Sequence, residues 1–172
     1  VLTIAGSDSS GGAGMQADIK TITRIGCHAM SVVTALTAQN SEGVQGVYLI
    51  PATFVSKQIE ALMADMVPDA IKLGMIFTAS SIKAVARLVG KYRIPTLVID
   101  PVLKSSTGSD LLEPGAVDVL RNTLLPLARV VTPNLHEAEV LTGIRVRNLE
   151  EMEEASRAIH ALGPAVIIKG GH

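Results

Sequence analysis

Tryptophan is absent from the chain, and Tyr and Phe leave it with only 2% aromatic content. Without exposed rings there is no base-stacking platform for a nucleic-acid strand and no aromatic belt for a membrane interface. An excess of charge is missing too. The formal net charge of −1 is too balanced for a footprint on nucleic acid or an anionic membrane. Cysteine occurs once, at Cys27, so an internal disulfide is excluded, and no Cys or His cluster for zinc surrounds it, although His28 is adjacent. A reducing cytosol fits that usage. No apolar run approaches the roughly 20 residues that span a bilayer, and the N-terminus lacks the order of a signal peptide. Linkers, repeats and low-complexity stretches are also missing. The chain opens on Val1 rather than Met, and an initiator or a longer segment is expected ahead of it.

What remains is 172 residues with 48% hydrophobic content, enough for one well-buried soluble domain across 1–172. Apolar, β-rich runs at 1–5, 29–35, 46–50, 70–73, 96–100, 129–132 and 165–169 alternate with helical patterns at 13–25, 52–65, 79–90, 114–124, 135–142 and 149–162. That alternation predicts an α/β fold, a largely parallel sheet flanked by helices. Along 52–65 and the residue after it, Val55, Ile59, Leu62 and Met66 share one predicted apolar face. The prolines fall at element boundaries, where a missing N–H does least harm.

Gly6-Ser7-Asp8-Ser9-Ser10-Gly11-Gly12-Ala13-Gly14 lies between the first strand and the first helix. Glycines at the C-terminal edge of such a sheet let backbone N–H groups approach a ligand, and a tight ligand-free turn is the alternative. It is neither a Walker loop nor a Rossmann turn. Gly90-Lys91 is followed by Tyr92, and the glycines at 6, 11, 12 and 14 do not fit Gly-x-Gly-x-x-Gly.

Further polar clusters follow later strands: Thr37-Ala38-Gln39-Asn40, Asp100-Pro101-Val102 running to Thr107-Gly108, Thr132 to Glu137, and Lys169-Gly170-Gly171-His172. The topology brings them to one sheet edge. Gln39 offers a donor and an acceptor that suit the edge of an aminopyrimidine or pyridine, or it is simply solvated. Met75 packs on a flat ring or fills core. Asp18 is a substrate ligand or a surface charge near a helix N-terminus. Asn134 and Glu137, three apart at a helix start, hold hydrated Mg²⁺ or form a capping box. Asp100 serves the same ion or starts a turn. Lys169 at the end of an apolar strand calls for a phosphate if buried, and is an exposed strand tip otherwise.

Taken together, Ala5 to Asp18, Thr34 to Asn40, Lys72-Leu73-Gly74-Met75, Asp100-Pro101-Val102-Leu103, Thr132 to Glu139 and Lys169 to His172 resemble the hydroxymethylpyrimidine/phosphomethylpyrimidine kinases of thiamine biosynthesis. The match runs end to end. The resemblance implies a three-layer α/β/α ribokinase-like fold, usually a homodimer, that uses ATP and Mg²⁺ on a small-molecule pyrimidine. It assigns Gln39 to the pyrimidine edge, with Ala13, Asp18, Met75 and Val102 lining the pocket. It assigns Lys169, Asn134 and Asp100 to the nucleotide, and Glu137 with Asp100 to the metal. Where relatives often carry Met and then a Lys-Ser-Gly run, this chain has Leu103 and Ser105-Ser106-Thr107-Gly108, with Lys104 nearby. The family's catalytic Gly-Thr-Gly-Cys turn is expected beyond His172, in C-terminal sequence missing or disordered here. Pyridoxine or pyridoxal kinase and a non-catalytic pyrimidine-binding domain are the alternatives. A sugar kinase fits poorly with Gln39 and Met75.

Overall fold

The structure, a computed structural model, describes residues 1–105, 108 and 110–170. Its strands are β1 (Leu2–Asp8), β2 (Met30–Asn40), β3 (Gly43–Leu49), β4 (Ile71–Leu73), β5 (Leu97–Ile99), β6 (Val130–Val131) and β7 (Ala165–Val166). They form one sheet in the order β3-β2-β1-β4-β5-β6-β7. The β2–β3 pair is antiparallel and every other pairing is parallel. β1 sits between β2 and β4 with Leu2 to Gly6 buried, which is why it reads as a continuous apolar run instead of an alternating one.

The helices are α1 (Gly14–Arg24), α2 (Ala52–Met63), α3 (Ala79–Tyr92), α4 (Ala116–Val119), α5 (Leu135–Thr142) and α6 (Leu149–His160). Strand order moves in opposite directions on either side of β1. Right-handed crossovers therefore put α1 on one face and α2 to α6 on the other. The packing agrees: α1 lies on β1 and β2, whereas α2 to α6 touch in succession. On the α1 side, Val98 and Val130 are half-buried and Ile167 is 59% exposed.

Several expected boundaries move. The strand expected at 29–35 continues to Asn40 because β3 pairs with its far half, so Thr37 to Asn40 are strand residues and not a following loop. The strand expected at 165–169 pairs as a ladder only through Ala165–Val166. Of the helix expected at 114–124, only Ala116–Val119 is α-helical; Leu120–Leu124 is a π turn that runs into a short 3-10 turn at Leu125–Leu127 containing Pro126. Pro126 brings no N–H to continue the ladder. α2 ends at Met63, whose side chain is buried with Val55 and Ile59, while Met66 lies past the helix and is 42% exposed.

Two bulges aim the second half of β2. Between Ala5 and Gly6 the β1–β2 register skips Thr34. The Thr34 hydroxyl donates to the Met75 carbonyl at 2.6 Å, and Gln58 from α2 bonds both the N–H and the carbonyl of Val33, at 2.9 and 3.0 Å. A second shift on β3 falls between the partners of Ala38 and Gln39. Bulges bend a strand and re-aim its side chains, and here they precede Gln39.

Candidate active site

The glycine loop after β1 is organised by Asp8. One carboxylate oxygen, Oδ1, accepts the Ser10 N–H and hydroxyl, each at 2.8 Å. Oδ2 accepts the N–H groups of Gly12 and Ala13 at 3.0 and 2.7 Å. The Gly11 N–H goes to the Asp8 carbonyl. The loop donors expected to face a ligand are therefore turned inward, onto a carboxylate supplied by the loop itself. Burial pushes the Asp8 carboxyl up, but the hydrogen bonds from Ser10, Ala13 and Gly12 outweigh it and hold the group below its ordinary value of 3.8. Gly14 opens α1 at φ +55°, and a Cβ there would lie 2.5 Å from the Gly6 carbonyl oxygen, so the turn needs glycine.

This loop, the β2 end and the β4 and β5 ends enclose a cavity of about 390 Å³. Gln39, Ala13, Asp18, Met75 and Val102 all border it, with Asp100. Met75 belongs to a small apolar cluster with Ala35 and Leu111, separate from the main core, against which Val102 packs. A Cβ at Gly6 would come within 2.8 Å of the Met75 sulfur, so the bare backbone of Gly6 is what admits Met75 to the cavity floor.

The backbone of Gln39 is pinned by the Ser9 hydroxyl, which accepts its N–H at 2.9 Å and donates to its carbonyl at 2.7 Å. Its side-chain Oε1 lies 3.2 Å from the Thr37 hydroxyl, and its Nε2 has no partner among the described residues. Asp18 is no surface charge: it accepts from the Thr3 hydroxyl at 2.6 Å and from Lys72 at 3.0 Å.

Asn134, Glu137 and Lys169 lie beyond the cavity rim. Asn134 Oδ1 accepts the Glu137 N–H at 2.8 Å, and Glu137 Oε2 accepts the Asn134 N–H at 2.7 Å, closing a capping box on α5. Lys169 is not a buried, unpaired ammonium. Its side chain is 45% exposed and its Nζ is 2.7 Å from Asp100 Oδ1, so Asp100 links this group to the cavity. Burial raises the Glu137 carboxyl above its ordinary 4.5; hydrogen bonds with the backbone of Asn134 and Leu103 and the charge of Lys169 oppose that, and the negative charge of Asp100 adds to it. Ser106, Thr107, Gly171 and His172, named in the motifs above, lie outside the described residues.

Asp8, Thr37, Lys72 and Leu111 also border the cavity, although residue types alone assign them no role. One signal for Lys72 is present: it is a charge inside Ile71-Lys72-Leu73, where both neighbours are buried.

Solved structures put this architecture among the ribokinase-like kinases. Phosphomethylpyrimidine kinase from Clostridium difficile 630 matches with a TM-score of 0.92 at 48% identity, over 99% of this chain and 74% of that one. A pyridoxal kinase from Staphylococcus aureus in complex with AMP-PCP and pyridoxal matches with a TM-score of 0.87 at 38% identity, over 99% and 61%. Residues 8–172 match the phosphomethylpyrimidine kinase family, and the chain belongs to that family. The hydroxymethylpyrimidine/phosphomethylpyrimidine kinase of Mycobacterium leprae is 49% identical over 174 residues; the match covers all of this chain and 62% of that protein's length.

Proposed function

We propose that the protein phosphorylates 4-amino-5-hydroxymethyl-2-methylpyrimidine, and then its monophosphate, with ATP. The observation that carries this reading is the cavity that gathers Gln39, Asp18, Met75 and Val102 against the glycine loop in a member of this family. Its volume of about 390 Å³ suits a single small ring. Gln39 Nε2 donates to a ring nitrogen while Oε1 accepts from the 4-amino group. Met75 and Val102 pack on the ring faces. Asp18 accepts a hydrogen bond from the substrate.

Lys169 takes the ATP phosphates. Among the described residues no group of three or more His, Cys, Asp or Glu could cage a metal. Two carboxylates that sense each other's charge, Asp100 and Glu137, fit an ion that keeps most of its water, which is how Mg²⁺ binds. When bound, Mg²⁺ neutralises charge on the transferring phosphates. The residue that takes the hydroxyl proton is assigned to a Gly-Thr-Gly-Cys turn outside residues 1–172. Exposed Cys27 suits a reducing cytosol as the compartment. A homodimer belongs to the same reading, supported by Leu36 and Tyr48. These apolar cross-strand partners on β2 and β3 are 47% and 68% exposed, and sedimentation velocity tests the association.

The deciding assay is ADP release by the full-length protein with ATP and Mg²⁺, offered the hydroxymethylpyrimidine, its monophosphate or pyridoxal. Turnover of both pyrimidines ahead of pyridoxal is expected. Turnover of pyridoxal alone, or of none of the three, contradicts the assignment.

A further inference from the structure

Thr3 of β1 and Lys72 of β4 stand directly opposite each other in parallel register. Thr3 is fully buried. α1 carries Asp18 over this pair, and both donors converge on one carboxylate oxygen: Thr3 Oγ1 at 2.6 Å and Lys72 Nζ at 3.0 Å from Asp18 Oδ2. Lys72 is folded along its own strand, since a Cβ on Gly74 would meet its Nζ at 2.9 Å. The ammonium is thereby drawn toward the C-terminal sheet edge, where the cavity lies.

The other oxygen, Asp18 Oδ1, receives no hydrogen bond from a described residue. No buried side-chain polar atom among the described residues is left without a partner, so Oδ1 is open to solvent. Asp18 and Lys72 both border the cavity. The carboxylate is therefore held by one oxygen and free at the other.

We infer that Thr3 and Lys72 are positioning residues, clamping Asp18 through Oδ2 so that Oδ1 is a fixed acceptor for an N–H or O–H of the bound ring substrate. This rests on the pyrimidine-kinase reading. A carboxylate already held in one rotamer loses little freedom when the substrate docks. A fixed acceptor also discriminates, because a ring of the same shape without the donor leaves that acceptor unpaired on closure. The clamp thus acts on selection and placement of the acceptor substrate and leaves the nucleotide alone.

The test is steady-state kinetics on the full-length protein, with hydroxymethylpyrimidine and ATP varied separately, for Lys72→Met, Thr3→Val, Asp18→Ala and the Lys72→Met/Asp18→Ala double variant. Each single change should raise the pyrimidine KM by about tenfold, the worth of one charge-assisted hydrogen bond, with the KM for ATP unchanged. The double variant should be no worse than Asp18→Ala, because Lys72 works only through Asp18. Thr3 is buried, so a Thr3→Val protein that folds poorly leaves the decision to Lys72→Met, whose side chain is 29% exposed in the native protein. An unchanged pyrimidine KM in Lys72→Met, an equal rise in the KM for ATP, or a double variant whose effects multiply overturns the clamp while the kinase reading stands. A wild-type protein that leaves the pyrimidine untouched overturns both.

Discussion

Lys169 Nζ lies 2.7 Å from Asp100 Oδ1, and Asp100 in turn borders the cavity. One carboxylate thus separates the acceptor pocket from the cation assigned to ATP. The Lys169 side chain is 45% exposed, so the pair contributes only about 0–1 kcal/mol to folding. On the proposed reading its weight falls on binding. Lys169→Ala should raise the KM for ATP by about tenfold or more while the pyrimidine KM and the melting temperature barely move. Initial rates with each substrate varied in turn check this.

The glycines of the first loop are not equivalent. Gly14 has φ +55° and a virtual Cβ 2.5 Å from the Gly6 carbonyl oxygen, whereas a Cβ on Gly12 meets nothing nearer than 3.7 Å. Gly14→Ala should destabilise the fold by about 1–3 kcal/mol. Gly12→Ala should stay within about 0.5 kcal/mol of wild type. Urea unfolding of the two variants side by side measures the difference.

Asp8 makes stability depend on pH. Its folded-state pKa is depressed below 3.8, so its contribution is complete above that value and is lost as pH falls through the lower, folded-state pKa. Asp8→Asn leaves loop N–H groups with a weaker acceptor and should cost about 1–3 kcal/mol at neutral pH. The gap to wild type should narrow as the solution is acidified, because protonated wild-type Asp8 loses the same interactions. Denaturant midpoints from neutral pH down to about pH 3 follow it.

The alternation of apolar runs and amphipathic stretches was enough to locate the seven strands and six α-helices among the described residues, because burial on a parallel sheet leaves continuous runs such as Leu2 to Gly6. It missed the far half of β2. Thr37 to Asn40 pair with β3 across a bulge, and that partnership has no signature in either strand alone. Polar residues following strands pointed to one shared sheet edge, whereas the convergence of Gln39, Asp18, Met75 and Val102 on one cavity was implied only by the family resemblance. The inward role of Asp8 was not legible, since an Asp in a Ser- and Gly-rich turn looks the same whether it caps the loop or faces a ligand. The apolar Ala165 to Ile168 left Lys169 open between a buried cation and an exposed strand tip, because composition does not say how far the strand end is covered; the side chain is 45% exposed and paired with Asp100. The pairing of Lys72 with Thr3 depends on strand register, which local composition does not encode.

The central claim is that the cavity is a pyrimidine site read by Gln39, whose side chain has only the Thr37 hydroxyl as a partner among the described residues. Titration calorimetry of hydroxymethylpyrimidine into the full-length protein and its Gln39→Ala variant, without nucleotide, tests this most directly. Saturable binding at one site per chain, weakened about tenfold in the variant by loss of paired hydrogen bonds and with an unchanged melting temperature, is the predicted result. Equal affinity in the two proteins, or no saturable binding to the wild type, would contradict it.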